Sequence, residues 1–404
     1  MRKNKRKIIS VFLLILFVCF IQACSEKKAE RVQWSVNMAQ SEMKRFPEAW
    51  MIEKAKTPRW GYTHGCVVKA MLDLWEHTGD RIYFDYAKGY ADSLITDEGT
   101  IRTYSMEKYN IDNINPGKIL FRLYDETKKE SYQMAIDTLV KQMKLQPRNN
   151  EGGFWHKKIY PWQMWLDGLY MASPFLAEYG KVIDEASYFD EVVHQIRLMD
   201  THSYDEQTGL FYHAWDESRN QRWADQETGR SPNFWSRSIG WYALALVDVL
   251  DFLPTDHEGR GYILNLIERT AEGITRWQDN KTGVWYQLTA LGDKEGNYLE
   301  SSGSSMFVAF LYKAINNGYL TDIKYKIAAD KGFDGLINEF IRLEEDGTYT
   351  ITNCCAVAGL GGEKRYRDGS FDYYINEPVI DNDPKSVASF IWAAIAYEKN
   401  KQLY

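Results

Sequence analysis

Histidine and cysteine are scarce in this chain, seven and five among 404 residues. Cys19, Cys24, Cys66, Cys354 and Cys355 include no CxxC pair. With so few histidines beside them, they do not suggest a metal cluster. Setting aside Cys19 and Cys24 near the N-terminus leaves three. An odd number with one adjacent pair is not a disulfide framework. Positive charge is also thin: the net charge is −7, and basic residues do not cluster beyond the first seven positions. That argues against a nucleic-acid partner. A small anionic substrate needs only a local basic pocket and stays open. Beyond the N-terminus no apolar run is long enough to span a bilayer. No linker rich in Pro, Gly or Ser interrupts residues 32–404, which read as one large domain.

The N-terminus reads as a targeting segment. Arg2, Lys3, Lys5, Arg6 and Lys7 form a positive region, followed by an apolar run over residues 9–20, too short for a spanning helix. Ile21-Gln22-Ala23-Cys24 resembles a bacterial lipobox, which implies removal of residues 1–23 and lipid on the Cys24 thiol. An ordinary signal peptide with an incidental cysteine is the alternative. Both predict export; the first predicts a membrane-anchored lipoprotein, periplasmic or outer-membrane, with residues 24–31 as a charged tether.

What the chain has in quantity is helical period and aromatic residues. Turns rich in Asp, Asn and Gly recur at residues 97–104, 149–156, 205–213, 279–286 and 345–349, most leading into an aromatic or β-branched run. Such stretches read as small hairpins or extended loop edges. Between them lie segments of helical period, at an irregular spacing of roughly 50 to 75 residues that suits a helix pair plus loops. Apolar helices start near Gly61, Pro116, Pro161, Ser236, Ser302 and Pro384, and the three prolines suit a first helical turn. Residues 241–250 and 387–395 are apolar nearly all round, as in a helix buried on every side. Residues 131–143 are amphipathic. Six buried helices alternating with six amphipathic ones predict an all-α (α/α)6 barrel, with the hairpin turns ringing one mouth. An α-solenoid is the alternative.

The richest stretch for chemistry runs over residues 155–175. It sets Asp167 among Trp and Tyr, with His156 and Lys157 about ten residues upstream. Burial disfavours a charged carboxylate, so this acid is expected to hold its proton and to be able to donate it. The aromatic rings suit sugar faces. Asp112 precedes Pro116 and reads either as a helix cap or as a second active carboxylate. His156 and His213 follow turns of the same kind. Arg237, between Trp235 and Trp241, reads either as a carboxylate fork or as a cation–π contact holding the barrel rim. Asp167 itself, taken alone, is open to pairing with an Arg or Lys.

Taken in order, several segments resemble glycoside hydrolase family 105, the unsaturated rhamnogalacturonyl hydrolases, relatives of the family-88 unsaturated glucuronyl hydrolases. They are Arg59-Trp-Gly-Tyr62, Asn110-Ile-Asp-Asn-Ile-Asn-Pro-Gly117, residues 165–176, residues 235–246, residues 300–307, residues 367–374 and Asn382-Asp-Pro-Lys385. The resemblance implies the (α/α)6 fold and no metal or organic cofactor. It implies an exported hydrolase in pectin degradation that acts on oligosaccharides ending in a 4,5-unsaturated uronic acid. The most expected substrate is unsaturated galacturonyl-rhamnose from rhamnogalacturonan. The reaction implied is hydration of the C4=C5 enol ether, not attack at the anomeric carbon. Asp167 would be the acid/base, Asp112 the second carboxylate, whose charge raises the proton affinity of Asp167, and His213 a residue near the reacting ring. His156, Lys157, Trp235, Arg237 and Trp241 would form the sugar- and carboxylate-binding wall, with Trp60 and Tyr62 beside them. The loop over residues 359–367 would face the leaving sugar. Two alternatives within enzymes are a glucuronyl-specific hydrolase and an epimerase using paired histidines. Outside enzymes, a non-catalytic glycan-binding lipoprotein or a helical scaffold remains, neither of which needs these residues to converge.

Overall fold

A computed structural model describes residues 33–363 and 365–403. The leader, Cys24 and the tether lie outside them. In chain order the helices are α1 (Trp34–Arg45), α2 (Tyr62–Thr78), α3 (Arg81–Leu94), α4 (Lys118–Thr127), α5 (Glu130–Leu145), α6 (Leu166–Ile183) and α7 (Ser187–Ser203). They continue with α8 (Ser236–Val249), α9 (Arg260–Arg276), α10 (Ser301–Asn316), α11 (Ile323–Phe340), the short α12 (Phe371–Ile375) and α13 (Pro384–Leu403).

Burial sorts these helices into two rings. Every residue of α8 is buried, as in a helix packed on all sides. In α9 the buried positions are Ile263, Leu266, Ile267, Thr270, Ala271, Gly273 and Ile274, which keep mostly to one face at helical spacing. The inner ring is α2, α4, α6, α8, α10 and α13. Each packs on the next, α4 through the 3-10 turn Ile111–Gly117 that leads into it, and α13 packs back on α2. The outer helices α3, α5, α7, α9 and α11 each cover the inner helix before them, and α1 covers α13. This is the (α/α)6 barrel that the periodicity predicts.

Two contacts explain how the ring closes tightly. A Cβ on Gly303 would lie 2.7 Å from the Cβ of Ser236, and one on Gly240 would lie 2.7 Å from that of Met306. Helices α8 and α10 therefore meet through a glycine on each side. Glu398 of α13 joins both ends of the chain. Its carboxylate accepts from Ser35 N–H at 3.1 Å and Ser35 Oγ at 2.7 Å, and lies 3.1 Å from His77 Nε2.

All inner helices run the same way, so their N-termini share one mouth. The recurring turns lie there, between an outer helix and the next inner one. Their short strands pair antiparallel: β1 (Gln163–Trp165) with β4 (Ala214–Asp216), β2 (Tyr204–Asp205) with β3 (Leu210–Phe211), β5 (Ile341–Leu343) with β6 (Tyr349–Ile351), and β7 (Cys354–Cys355) with β8 (Val379–Ile380). Pro384 opens α13 as expected. Pro161 does not open its helix. Residues 163–165 are held extended by β4, and α6 starts only at Leu166.

The opposite end of the barrel holds a cavity of about 470 Å³ lined by all six inner helices. Its charges mostly pair off: Lys69–Asp73 at 2.9 Å, Arg122–Asp73 at 2.8 Å, Arg122–Glu76 at 3.0 Å and Lys313–Asp248 at 2.8 Å. Glu178 lines the same cavity without an ion pair within 4 Å among the described residues, and burial pushes its carboxyl up to about 8. A folded pKa raised above the unfolded one means stability lost as pH climbs from the ordinary carboxylate range through 8. Glu178→Gln removes that loss. Its melting temperature, followed by circular dichroism, is expected to exceed the parent's at pH 9 by about one to a few °C and to match it at pH 4.5.

Candidate active site

Backbone hydrogen bonds across the mouth bring the site together. Ile111 N–H donates to His156 O at 3.1 Å, His156 N–H to Gln163 O at 2.8 Å, and Leu166 N–H to His213 O at 3.0 Å. Segments distant in sequence thus set Asp112, His156, Lys157, Asp167 and His213 around one opening.

Asp112 is paired. Lys157 Nζ lies 2.6 Å from its Oδ2 and His156 Nε2 lies 3.4 Å from its Oδ1. The cap of this turn is Asn110, whose side chain accepts from Asp112 N–H at 3.1 Å, so Asp112 is not spent on capping. Burial pushes the Asp112 carboxyl up, but the Lys157 ammonium, the His156 ring and the Lys157 hydrogen bond together hold it below its ordinary value. The His156 ring is buried, and that burial brings it down to about 4 against the pull of Asp112. It stacks on Trp165 at 4.6 Å, and Trp165 stacks on Tyr160 at 5.1 Å. A Cβ on Gly168 would meet His156 Nδ1 at 2.9 Å. The residue after Asp167 is therefore one that lets the ring lie against the helix.

Asp167 occupies the first turn of α6, where the helix N-terminus favours negative charge. Among the described residues no Lys or Arg lies within ion-pair distance of it. Its neighbour is His213, with Nε2 3.2 Å from Oδ2. The two atoms are close but not aligned as a hydrogen bond, and neither has another partner among the described residues. The side chain is 15 % exposed. His213 Nδ1 lies 2.7 Å from the Tyr374 hydroxyl, and Trp235 flanks both rings.

Trp60 and Tyr62 line a cavity of about 310 Å³ at this end, with Arg59, Val357 and Lys385. Trp60 is fixed by its Nε1–H, which donates to Asn113 O at 2.8 Å. Lys385 pairs with Asp383 at 2.7 Å. Burial pushes the Tyr62 phenol up, with Lys385 opposing it and Asp112 adding to it.

Arg237 and Trp241 depart from the expectation. Arg237 is 1 % exposed. Its Nε donates to Ser302 Oγ at 2.7 Å, and its Nη2 bonds Glu300 at 3.2 Å, Cys354 Sγ at 3.1 Å and the Cys355 carbonyl. It lies over the Trp235 ring at 5.3 Å. The rim-holding alternative thus describes it better than a fork offered to a carboxylate. Trp241, also 1 % exposed, stacks on Tyr170 at 4.6 Å inside the barrel. Its second-turn position in a helix buried all round keeps it from the mouth. Trp235 is buried as well, donating to Gln287 at 3.0 Å.

Tyr160, Trp165, Tyr374 and Lys385 stand at the site without having been singled out from sequence. Trp165 lies two residues before Asp167, which is a usable signal. Tyr374 and Lys385 end two of the segments that carry the family resemblance, but local sequence gives neither a role, since their partners are distant.

A family model, Glycosyl Hydrolase Family 88, matches residues 34–401. The chain belongs to this family. Its fold matches a solved glycoside hydrolase of family 105 from C. acetobutylicum, with a TM-score of 0.86 and 42 % identity over 91 % of this chain and 99 % of that one. It is 25 % identical to the unsaturated rhamnogalacturonyl hydrolase YesR of Bacillus subtilis over 61 % of this chain and 68 % of the relative. It is 33 % identical to an unsaturated 3S-rhamnoglycuronyl hydrolase of Formosa agariphila over 45 % of this chain and 47 % of the relative. The protein is a glycoside hydrolase, and the mouth with Asp112 and Asp167 is its candidate active site.

The burial of Arg237 makes a prediction about the enzyme. Arg237→Ala leaves Glu300 charged, buried and unpaired, and is expected to cost about 3–5 kcal/mol of stability in denaturant titration. A variant of unchanged stability with a raised KM would instead return Arg237 to the substrate wall.

Proposed function

We propose that the enzyme removes a terminal 4,5-unsaturated uronic acid from lyase-made oligosaccharides, with unsaturated galacturonyl-rhamnose the leading substrate. The carrying observation is the inequality of the two carboxylates. Asp112 holds a permanent cation at 2.6 Å, whereas Asp167 faces only an imidazole. Two carboxylates in unlike surroundings take different proton states, which is how acid and base roles are divided. Asp112 remains the anion and offers acceptors to sugar hydroxyls. Asp167 delivers its proton to C4 of the enol ether, and water adds to C5 of the resulting oxocarbenium-like centre. The Asp167 carboxylate takes the water's proton back. The hemiketal then opens and releases the neighbouring sugar.

His156, Lys157, Trp60 and Tyr62 border the ring that reacts, and Trp165 and Tyr160 extend the aromatic wall. The names of the Bacillus and Formosa relatives both join a rhamnose to a uronide, which supports rhamnose as the sugar released. Absorbance of the conjugated uronide tests the reading. The wild type is expected to abolish the band of unsaturated galacturonyl-rhamnose, and Asp167→Asn to slow this by at least about a hundredfold at an unchanged melting temperature. Loss of the band at equal rates in both proteins would remove Asp167 from the chemistry. Silence of the wild type across pectin, ulvan and glycosaminoglycan disaccharides would favour the glycan-binding alternative.

The same proposal places the enzyme on a membrane through lipid on Cys24, exported to the periplasm or the outer membrane. The sequence before Cys24 supports this, since a positive region and a short apolar run precede it. Expressed in a lipoprotein-processing bacterium, the wild type should partition into detergent and Cys24→Ser into the aqueous phase. Equal aqueous partition would leave an ordinary exported protein.

A further inference from the structure

His213 makes contacts on both sides of its ring. Nε2 lies 3.2 Å from Asp167 Oδ2, and Nδ1 lies 2.7 Å from the Tyr374 hydroxyl. The imidazole and the phenol are both fully buried. A neutral imidazole carries one N–H and one lone pair, so the Tyr374 contact has two forms. In one, the phenol donates to Nδ1 and the ring proton sits on Nε2. In the other, Nδ1–H donates to the phenol oxygen and Nε2 is bare.

The phenol hydrogen decides between them. Burial pushes the Tyr374 phenol well above its ordinary value, so it stays protonated. Among the described residues the hydroxyl has no hydrogen-bond partner besides His213. If Nδ1–H were the donor, the phenol hydrogen would be left buried without an acceptor, an arrangement native structures avoid. The donating phenol places its hydrogen on Nδ1 and leaves Nε2–H facing the carboxyl oxygen Asp167 Oδ2 at 3.2 Å, close though not aligned as a hydrogen bond.

We propose that Tyr374 is a positioning residue that holds His213 in the tautomer with its proton on Nε2, directed at Asp167. The inference rests on the reading of Asp167 as the acid/base. With Nε2–H facing Oδ2, the acid proton of Asp167 resides on Oδ1. That proton goes to C4, and the electron pair of C4=C5 forms the new C–H bond. Water oxygen bonds C5, and the water's proton returns to Oδ1. His213 keeps its Nε2 proton throughout and takes none from water. Asp167 alone carries the proton in both directions.

The neighbours of Tyr374 are built to hold it. Ser370 caps α12, its Oγ accepting from Tyr373 N–H at 3.1 Å. Gln287 donates to the Tyr374 carbonyl at 3.2 Å while its own oxygen accepts from Trp235 Nε1–H at 3.0 Å. Trp235 therefore serves the site through this bracket and not as a sugar platform.

The test uses the full chain labelled with ¹⁵N-histidine at pH 8, with the His213 signals assigned by their loss in His213→Gln. The wild type is expected to show a protonated Nε2 and a bare, hydrogen-bonded Nδ1. Tyr374→Phe should lose that Nδ1 signature and populate the other tautomer. Its kcat on an unsaturated uronyl disaccharide should fall roughly tenfold or more, with KM changed less than about threefold and the melting curve retained. A wild-type ring protonated on Nδ1 overturns the proposal, and this spectrum decides even if the variant does not fold. So does a folded Tyr374→Phe with unchanged tautomer and kcat. A wild type inactive on every unsaturated uronide defeats the functional reading separately, since the spectra still report the tautomer.

Discussion

The backbone stitching around the mouth is the constraint on which the site depends. Inner helices of a barrel start at one end, but nothing in helix packing sets their loops in register. Here Ile111, His156, Gln163, Leu166 and His213 exchange main-chain hydrogen bonds, and the same pattern continues with Ser236 N–H to Gln287 O and Glu300 N–H to Trp285 O. The Ile111–His156, Leu166–His213 and Ser236–Gln287 bonds join the start of one inner helix to the loop before the next, and the other two brace single loops. Such bonds are short and directional, so they fix side chains more closely than packing of mobile loops would. The Leu166–His213 bond matters most. It sits one residue before Asp167 on one side and on His213 itself on the other.

Given that register, charge does the rest. Two carboxylates share one opening, and like surroundings would give them like roles unless something broke the symmetry. Lys157 breaks it. Its ammonium stands beside Asp112 and has no counterpart beside Asp167 among the described residues. The difference originates in a single turn, since His156 and Lys157 are adjacent and both face Asp112. His156 cannot substitute for the lysine, because burial lowers it to about 4 and leaves it neutral near pH 7.

Much of this fold is legible in the chain. The repeating turns mark the mouth, and the contrast between residues 241–250 and 131–143 separates inner from outer helices. Asp112, His156, Lys157, Asp167 and His213 are each visible as polar residues near inner-helix starts. What is not legible arises from pairing over long distances. The start of α6 moves from Pro161 to Leu166 because β4, about fifty residues on, takes residues 163–165 into a strand pair. Arg237 looks like a substrate fork because its partners, Glu300, Ser302, Cys354 and Cys355, come from segments that local sequence does not connect. Tyr374 is silent for the same reason: its meaning is a hydrogen bond to a residue 161 positions away.

The two ends of the barrel handle burial of polar groups differently. At the far end, cations and carboxylates face each other in close pairs, and most buried charge is neutralised within the protein. At the mouth, Asp167 Oδ2, His213 Nε2 and His156 Nδ1 are buried without a hydrogen-bond partner among the described residues. An unsatisfied buried polar atom costs stability, and natural proteins keep few of them. Others are scattered through the core, Tyr242 Oη and Thr270 Oγ1 among them, but here three gather within one opening, with His156 held by stacking on Trp165 and His213 by the Tyr374 hydroxyl. Departures of that kind are expected where groups are reserved for a reacting ligand instead of for the fold.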